Sequence, residues 1–342
     1  MKEREEFTFS PVNFGVVLHA VIREVCDEIK KNGESYYLIS EEKRREMVKR
    51  SVAAITDIYQ NSILKDSSRN SFMIKRMEDL ADRTVWAMGE QLKCGDFVPF
   101  VFEHKFNMEV GDGDRKQLMS GTIDRVDICE NGTDVYVRII DYKTGKKDFN
   151  IVKTYYGIDI QLMVYMEAAM KLVAKMRPGK NVIPAGVFYY NISDPIVSAT
   201  TESAEEIEDK IKGELRLKGM VNSDKDIAEK MDNTEGTSLN IPVSRKADGG
   251  FDSRRSKVMN TEQFNILGRF VDVRAIDTAD RIAGGDIRRS PYKDGQFSSC
   301  DRCPYGAVCG FSVDLPGCNY RKLKKFDDEV LWNNIKEGVD EN

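Results

Sequence analysis

Histidine is scarce in this sequence: only 2 of 342 residues, His19 and His104. With so few, no Ser-His-Asp or Cys-His nucleophilic site suggests itself. No apolar run approaches the ~20 residues that a membrane-spanning helix needs. The opening MKEREEFTFSP has no apolar signal core, so secretion is not expected. A G-x-x-x-x-G-K-[ST] loop is also missing. Gly145-Lys146 and Gly179-Lys180 lack both the upstream glycine and the following hydroxyl residue, so the chain should not hydrolyse ATP by itself. Nor is there an excess of positive charge. The 52 Lys and Arg against 57 Asp and Glu leave −5, so nucleic acid could be held only along a local basic track. Clusters such as Lys43, Arg44, Arg45, Lys49 and Arg50, or Arg321, Lys322, Lys324 and Lys325, read singly as solvated faces. Cysteine is sparse and odd in number, 7 in all, which argues against a disulfide scaffold and for a reducing, cytoplasmic setting.

What is present begins with helices. Leu18, Val21, Ile22, Val25 and Ile29 repeat at helical spacing, and longer helical patterns cover 41–63 and 69–92. The period then changes to that of strands at 97–110, 117–129 and 134–142. Gly111-Asp112-Gly113-Asp114 reads as a hairpin turn; it lacks the spacing and distal glutamate of a calcium loop. An almost wholly apolar helix is expected over 152–175, a strand over 182–190, a charged helical pair over 202–231, a polar loop over 232–257 and a helix over 260–283. The remainder reads as a loop-like, cysteine-bearing tail. The expected organisation is a helical part at 1–95, an α/β core at 96–285 with a helical insertion at 202–257, and a tail at 286–342.

Asp141-Tyr142-Lys143 closes the third strand, and residues i and i+2 of a strand share a face. A carboxylate and an ammonium therefore project together. Asp124, 17 residues earlier, can come opposite Asp141 in a hairpin of that length. Two carboxylates and a lysine at one sheet edge suit Mg²⁺-assisted phosphodiester hydrolysis, with hard oxygen ligands for the ion and a lysine to offset developing charge. An inter-strand salt bridge is the plainer reading. Gln161 and Tyr165 lie four apart on a buried helix and need partners, which a phosphate or a core contact could supply. His19 lies one step off the apolar stripe of the first helix, over Gly15, whose missing side chain leaves room; alone it reads as a core histidine. His104 receives no role. Cys300-x₂-Cys303-x₅-Cys309, with Cys318 beyond, carries thiolates at metal-binding spacing: a Zn-Cys₄ knuckle if Cys318 is the fourth ligand, an iron–sulfur site if the fourth lies elsewhere. Cys26, Cys94 and Cys129 read as buried fillers.

In this order, these pieces resemble the RecB-like branch of the PD-(D/E)xK nucleases, and within it the nuclease domains of the AddB family. The residues that carry the likeness are Lys2-Glu3-Arg4-Glu5-Glu6, Gly15-x-x-Leu18-His19, Gly121-Thr122-Ile123-Asp124-Arg125-Val126-Asp127 and Ile140-Asp141-Tyr142-Lys143-Thr144-Gly145. Tyr156-Gly157, Gln161-Leu162-x-x-Tyr165, Phe188-Tyr189-Tyr190, Asp194-Pro195 and the tail ending in Tyr320-Arg321 complete it. The resemblance implies a restriction-endonuclease-like central mixed sheet flanked by helices. It implies that His19, Asp124, Asp141 and the Tyr142 carbonyl hold Mg²⁺, that Lys143 is catalytic, and that Gln161 and Tyr165 belong to the same site. It implies exonucleolytic cleavage of single-stranded DNA unwound by a helicase, in double-strand break repair, with AddA as partner subunit. It also implies a [4Fe–4S] cluster on Cys300, Cys303, Cys309 and a cysteine upstream of the Lys-Glu-Arg-Glu stretch. That fourth ligand is expected in a full-length subunit, and a chain without it is expected to lose the cluster. A neutral His19 ligand predicts that activity falls below about pH 6, since a free histidine titrates near ~6.5. The alternative expectation is a non-catalytic nucleic-acid-binding module closed by the zinc knuckle.

Overall fold

The computed structural model describes residues 11–58, 68–111, 116–198 and 202–340. The helical periodicity at the start becomes α1 (Pro11–Lys31), α2 (Glu41–Ile58) and α3 (Ser68–Lys93). The change of period becomes β1 (Val98–Val110), β2 (Gln117–Asn131) and β3 (Asp134–Lys143). The expected turn at 111–114 falls largely outside the described residues, as does the stretch 59–67 beyond α2.

The chain forms two compact units. The first comprises the described parts of 1–107, 120–149 and 165–264. It carries a six-stranded sheet in the order β1-β2-β3-β4-β5-β6, in which β4 is Asn181–Asn191, β5 is Lys218–Asn222 and β6 is Val258–Met259. β2 and β3 form an antiparallel hairpin, whereas β3 and β4 run parallel. Parallel neighbours need a crossover, here α4 (Ile151–Tyr155) and α5 (Gln161–Met176). The apolar stripe of α1 enters one core with Met47, Val48 and Val52 of α2, Met77, Ala81 and Met88 of α3, and Tyr136, Ile140, Tyr142, Phe188 and Tyr190 of the strands. Val135, Val137 and Ile139, on the other face of β3, are equally buried. β3 is thus covered on both sides, as the strands of a helix-flanked sheet must be.

Inside this core lies an ion triad whose pairing cannot be read from the sequence. Arg125 donates to both oxygens of Asp127 at 2.7 and 2.6 Å, and Arg138 donates to the same carboxylate at 2.8 Å. The two guanidiniums hold the Asp127 carboxyl below its usual range against the opposing effect of burial. Removing one member strands buried charge. Asp127→Ala is therefore expected to destabilise the fold by about 3–5 kcal/mol, read from urea unfolding.

Three sequence expectations need correction. The helix expected over 152–175 is two helices, because Gly157 takes a left-handed backbone (φ 72°) and ends α4. The charged pair at 202–231 is α6 (Ala204–Glu214) and α7 (Lys225–Met231) with β5 between them. That strand escapes notice because it is short and contains Gly219, whose Cβ, were there one, would lie 1.9 Å from the Val187 carbonyl. Antiparallel pairing with β4 forms it. The tail is also less loop-like than expected. It holds α9 (Gly306–Cys309), α10 (Asp328–Asp340) and a small sheet in the order β8-β7-β9, from β7 (Tyr292–Asp294), β8 (Phe297–Ser298) and β9 (Arg321–Lys322). The polar loop at 232–257 is ordered by its own side chains. Asp232 accepts from Ser238 and Asn240, and Arg245 donates to the Ala228, Asp232 and Thr234 carbonyls.

The second unit comprises the described parts of 108–119, 150–164 and 265–342. Most of α8 (Thr261–Ala283) belongs to it. Phe270 of α8 stacks on Tyr155 at 5.5 Å, and Phe326 closes on the same tyrosine at 5.4 Å. Gly338 of α10 lies against Phe270 where a Cβ would meet the ring at 2.8 Å. No described helix is long and apolar enough to cross a membrane.

Candidate active site

The site grows from the ends of β2 and β3. Their register pairs Arg125 with Ile140, so continuing it by one step sets Asp124 level with Asp141. Backbone pairing stops there. Asp124 instead accepts the Tyr142 amide on Oδ2 at 2.6 Å, which fixes its carboxylate against β3. Its other oxygen, Oδ1, stands 3.4 Å from His19 Nδ1 on α1. The ring of Tyr142 meets His19 edge-on at 5.9 Å, so the histidine is positioned by both the strand end and the aromatic core. Gly15 is not needed to make room for this: a Cβ there would touch Thr144 at an ordinary 3.8 Å.

Glu103 of β1 completes the cluster, its Oε1 being 3.4 Å from His19 Nδ1. Among the described residues, His19, Glu103 and Asp124 are the group of metal-type donors whose atoms gather within 4.8 Å of one another. Glu103 is also the only described non-glycine residue with a left-handed backbone, at φ 46°. Such a conformation costs on the order of 1–3 kcal/mol and persists where surrounding structure demands it. The sequence does not single out Glu103, because Glu103-His104-Lys105 reads as a charged strand edge. Its one distinguishing feature, the backbone angle, has no residue-type signal.

Asp141 is buried and its Oδ2 pairs with Lys143 Nζ at 2.6 Å. Burial and the neighbouring Asp124 charge push its carboxyl up to about 6, against the opposing pull of Lys143. The Lys143 ammonium lies 5.6 Å over the ring of Tyr189 on β4. For His19, burial opposes the charge, but Asp124 and Glu103 outweigh it and raise the imidazole to about 10. The expectation of a histidine titrating near ~6.5 therefore does not describe the metal-free site. A cation must displace a proton held between two carboxylates. Metal binding at pH 8 is thus expected to release close to one proton and to weaken about tenfold per pH unit as the pH falls. Calorimetry with Mg²⁺ or Mn²⁺ in buffers of different protonation enthalpy measures both. Glu103→Gln should lower the affinity roughly tenfold or more, since it removes one anionic donor.

The donor set fits a divalent cation: carboxylate oxygens and one imidazole, partly buried and converging on one point. Gln161 and Tyr165 sit one turn apart at the start of α5. Tyr165 stands edge-on to Phe106 at 5.8 Å, over Gly121, where any Cβ would press on the Phe106 ring at 2.9 Å. That close approach gives a packing reason for the glycine of Gly121-Thr122-Ile123-Asp124.

The tail cysteines behave differently. Cys303 is exposed, Cys300 and Cys309 are half-buried and Cys318 is buried. Tetrahedral zinc at ~2.3 Å per thiolate would hold its sulfurs about 3.8 Å apart. No three of these sulfurs gather that closely among the described residues, so the zinc knuckle is not preassembled. Cys26 and Cys129 are buried as expected, whereas Cys94 is only half so.

A model of the PD-(D/E)XK nuclease superfamily matches residues 1–310. The chain belongs to this superfamily. It is also similar to proteins named as the B component of an ATP-dependent helicase/deoxyribonuclease. The protein from Thermoanaerobacter sp. (strain X514) is 33% identical over 349 residues, covering 99% of this chain and 30% of that protein. Its counterpart from Caldanaerobacter subterraneus subsp. tengcongensis is 34% identical over 351 residues, with 99% and 30% covered. The Clostridium acetobutylicum protein is 33% identical, with 100% and 30% covered. The chain therefore spans about 30% of the length of these relatives. PD-(D/E)XK nucleases typically use a divalent metal, and His19, Glu103 and Asp124 are metal-type donors gathered within 4.8 Å of one another.

Proposed function

We propose that this chain is the Mg²⁺-dependent nuclease part of an AddB-like subunit, an exonuclease that hydrolyses phosphodiester bonds of unwound single-stranded DNA. The observation that carries this reading is the meeting of His19, Glu103 and Asp124 with the Asp141–Lys143 pair at one strand end. The bound ion would polarise the phosphate and lower the pKa of an attacking water. His19, Glu103, Asp124 and Asp141 hold it, with the Tyr142 carbonyl assigned by the family likeness. Lys143 orients the water and offsets charge growing on the non-bridging oxygens. The Tyr189 ring lies 5.6 Å beneath that ammonium. Gln161 and Tyr165 enter the site by family likeness alone. So does a [4Fe–4S] cluster on Cys300, Cys303 and Cys309.

The setting proposed with it is cytoplasmic double-strand break repair and recombination beside an AddA partner. It rests on relatives whose name joins a helicase to a deoxyribonuclease. The test is direct. The purified chain should shorten end-labelled single-stranded DNA with Mg²⁺ and leave it intact with a chelator. DNA binding without any metal-dependent cleavage would favour the non-catalytic module instead.

A further inference from the structure

A groove runs beside the carboxylate centre between α1 and β1, within the first unit. It is lined by Arg23, Asp27 and Lys30 from the helix and by Phe100–Lys105 from the strand. On α1, His19, Arg23 and Lys30 fall within about 40° of one another around the helix axis. Arg23 stands about 6 Å and Lys30 about 16 Å along that axis from His19. The helix that supplies a donor to the centre thus also lays a file of cations leading away from it.

The charge balance of this groove is opposite to that of the chain. Arg23, Lys30 and Lys105 are exposed and face solvent with Asp27. The remaining acid, Glu103, is committed to His19. Lys30 Nζ donates to the Phe100 carbonyl at 2.7 Å. Among the described residues, Arg23 and Lys105 make no ion pair, so both are open to an anion. Phe100, under the Arg177 guanidinium at 5.4 Å, and Phe102, beside Tyr36 at 6.5 Å, give the same groove a half-buried apolar wall beneath its cations. A second cleft, between α2, α3 and α6, also carries arginines and aromatics, but its cations are spent. Arg44 forks onto Asp82, Arg45 pairs with Glu41 and Arg83 with Asp194.

We propose that the α1–β1 groove is the track along which a DNA single strand reaches the carboxylate centre, with Arg23 and Lys105 as its phosphate contacts. This rests on the nuclease reading above and adds to it the path and two residues. The test compares the wild-type chain with Arg23→Ala/Lys105→Ala and with Arg45→Ala/Arg83→Ala on the other cleft. Binding of a short fluorescein-labelled oligothymidylate is followed by anisotropy without Mg²⁺, across a salt series, after thermal melts show equal folding. The groove double variant should bind at least ~10-fold more weakly at low salt, with the slope of log K against log salt smaller by about 1.4, or ~0.7 per lost contact. With Mg²⁺ its KM should rise while kcat stays unchanged. The control pair should bind as the wild type does. Unchanged affinity and slope in the groove variant, or an equal loss in the control pair, overturns the proposal. Absence of cleavage by the wild type would instead sink the nuclease reading, a separate outcome from the binding comparison.

Discussion

Asp141→Asn is expected to remove cleavage while making the metal-free protein more stable. The substitution keeps the shape of the side chain and deletes one anionic donor at the strand end. Losing that donor should cost about 10²–10³ in kcat, the range seen when one electrostatic stabiliser of a transition state is lost. The gain in stability follows from the raised carboxyl. Asp141 titrates at about 6 in the fold, because burial and Asp124 disfavour its charge. An unfolded aspartate titrates near ~3.9. Between those two values the folded state holds a proton that the unfolded state has released. Stability of the wild type should therefore fall as the pH rises through this window, by about 3 kcal/mol in total. Asp141→Asn escapes that loss. Its melting temperature should exceed that of the wild type at pH 8 and converge with it towards pH 4. A variant that melts lower at pH 8 would show that Asp141 is held for structure rather than for the ion.

Lys143→Ala should separate chemistry from binding. The ammonium sits 2.6 Å from Asp141 Oδ2 and packs over Tyr189, so it is fixed rather than waving in solvent. Its removal should lower kcat by about 10²–10³ with little change in KM for DNA. A second effect has a definite sign. Lys143 pulls the Asp141 carboxyl down. Without it, that carboxyl protonates at higher pH, so the acid limb of the pH–rate profile moves to higher pH. Lys143→Arg keeps the charge and should restore the limb more than the rate. Full activity in Lys143→Ala would falsify its catalytic assignment.

The relation between Asp141 and Lys143 was legible because a strand has period two, and no tertiary contact is needed to place i and i+2 on one face. Asp124 was legible for a similar reason, the short hairpin between β2 and β3 limiting its register. His19 was not readable from its own helix, where a histidine beside an apolar stripe has an ordinary core explanation. Only family likeness raised it, and only the packing of α1 against β2 and β3 brings its ring to Asp124. Glu103 left no mark at all. Its position depends on a left-handed residue inside β1, a local conformation fixed by neighbours distant in sequence.

The amino-acid sequence by itself determined the α/β class, most of the main helices and strands, and the placing of Asp124, Asp141 and Lys143 near one strand end. These follow from periodicity and short hairpins, which are local properties of the chain. Tertiary structure alone decided the membership of Glu103, the upward shift of His19 and Asp141, the burial of Arg125 and Arg138 around Asp127, and the strand β5. Each of these depends on burial or on charges brought together from separate segments. Desolvation and Coulomb interaction act between neighbours in space, and spatial neighbourhood is set only when the elements pack.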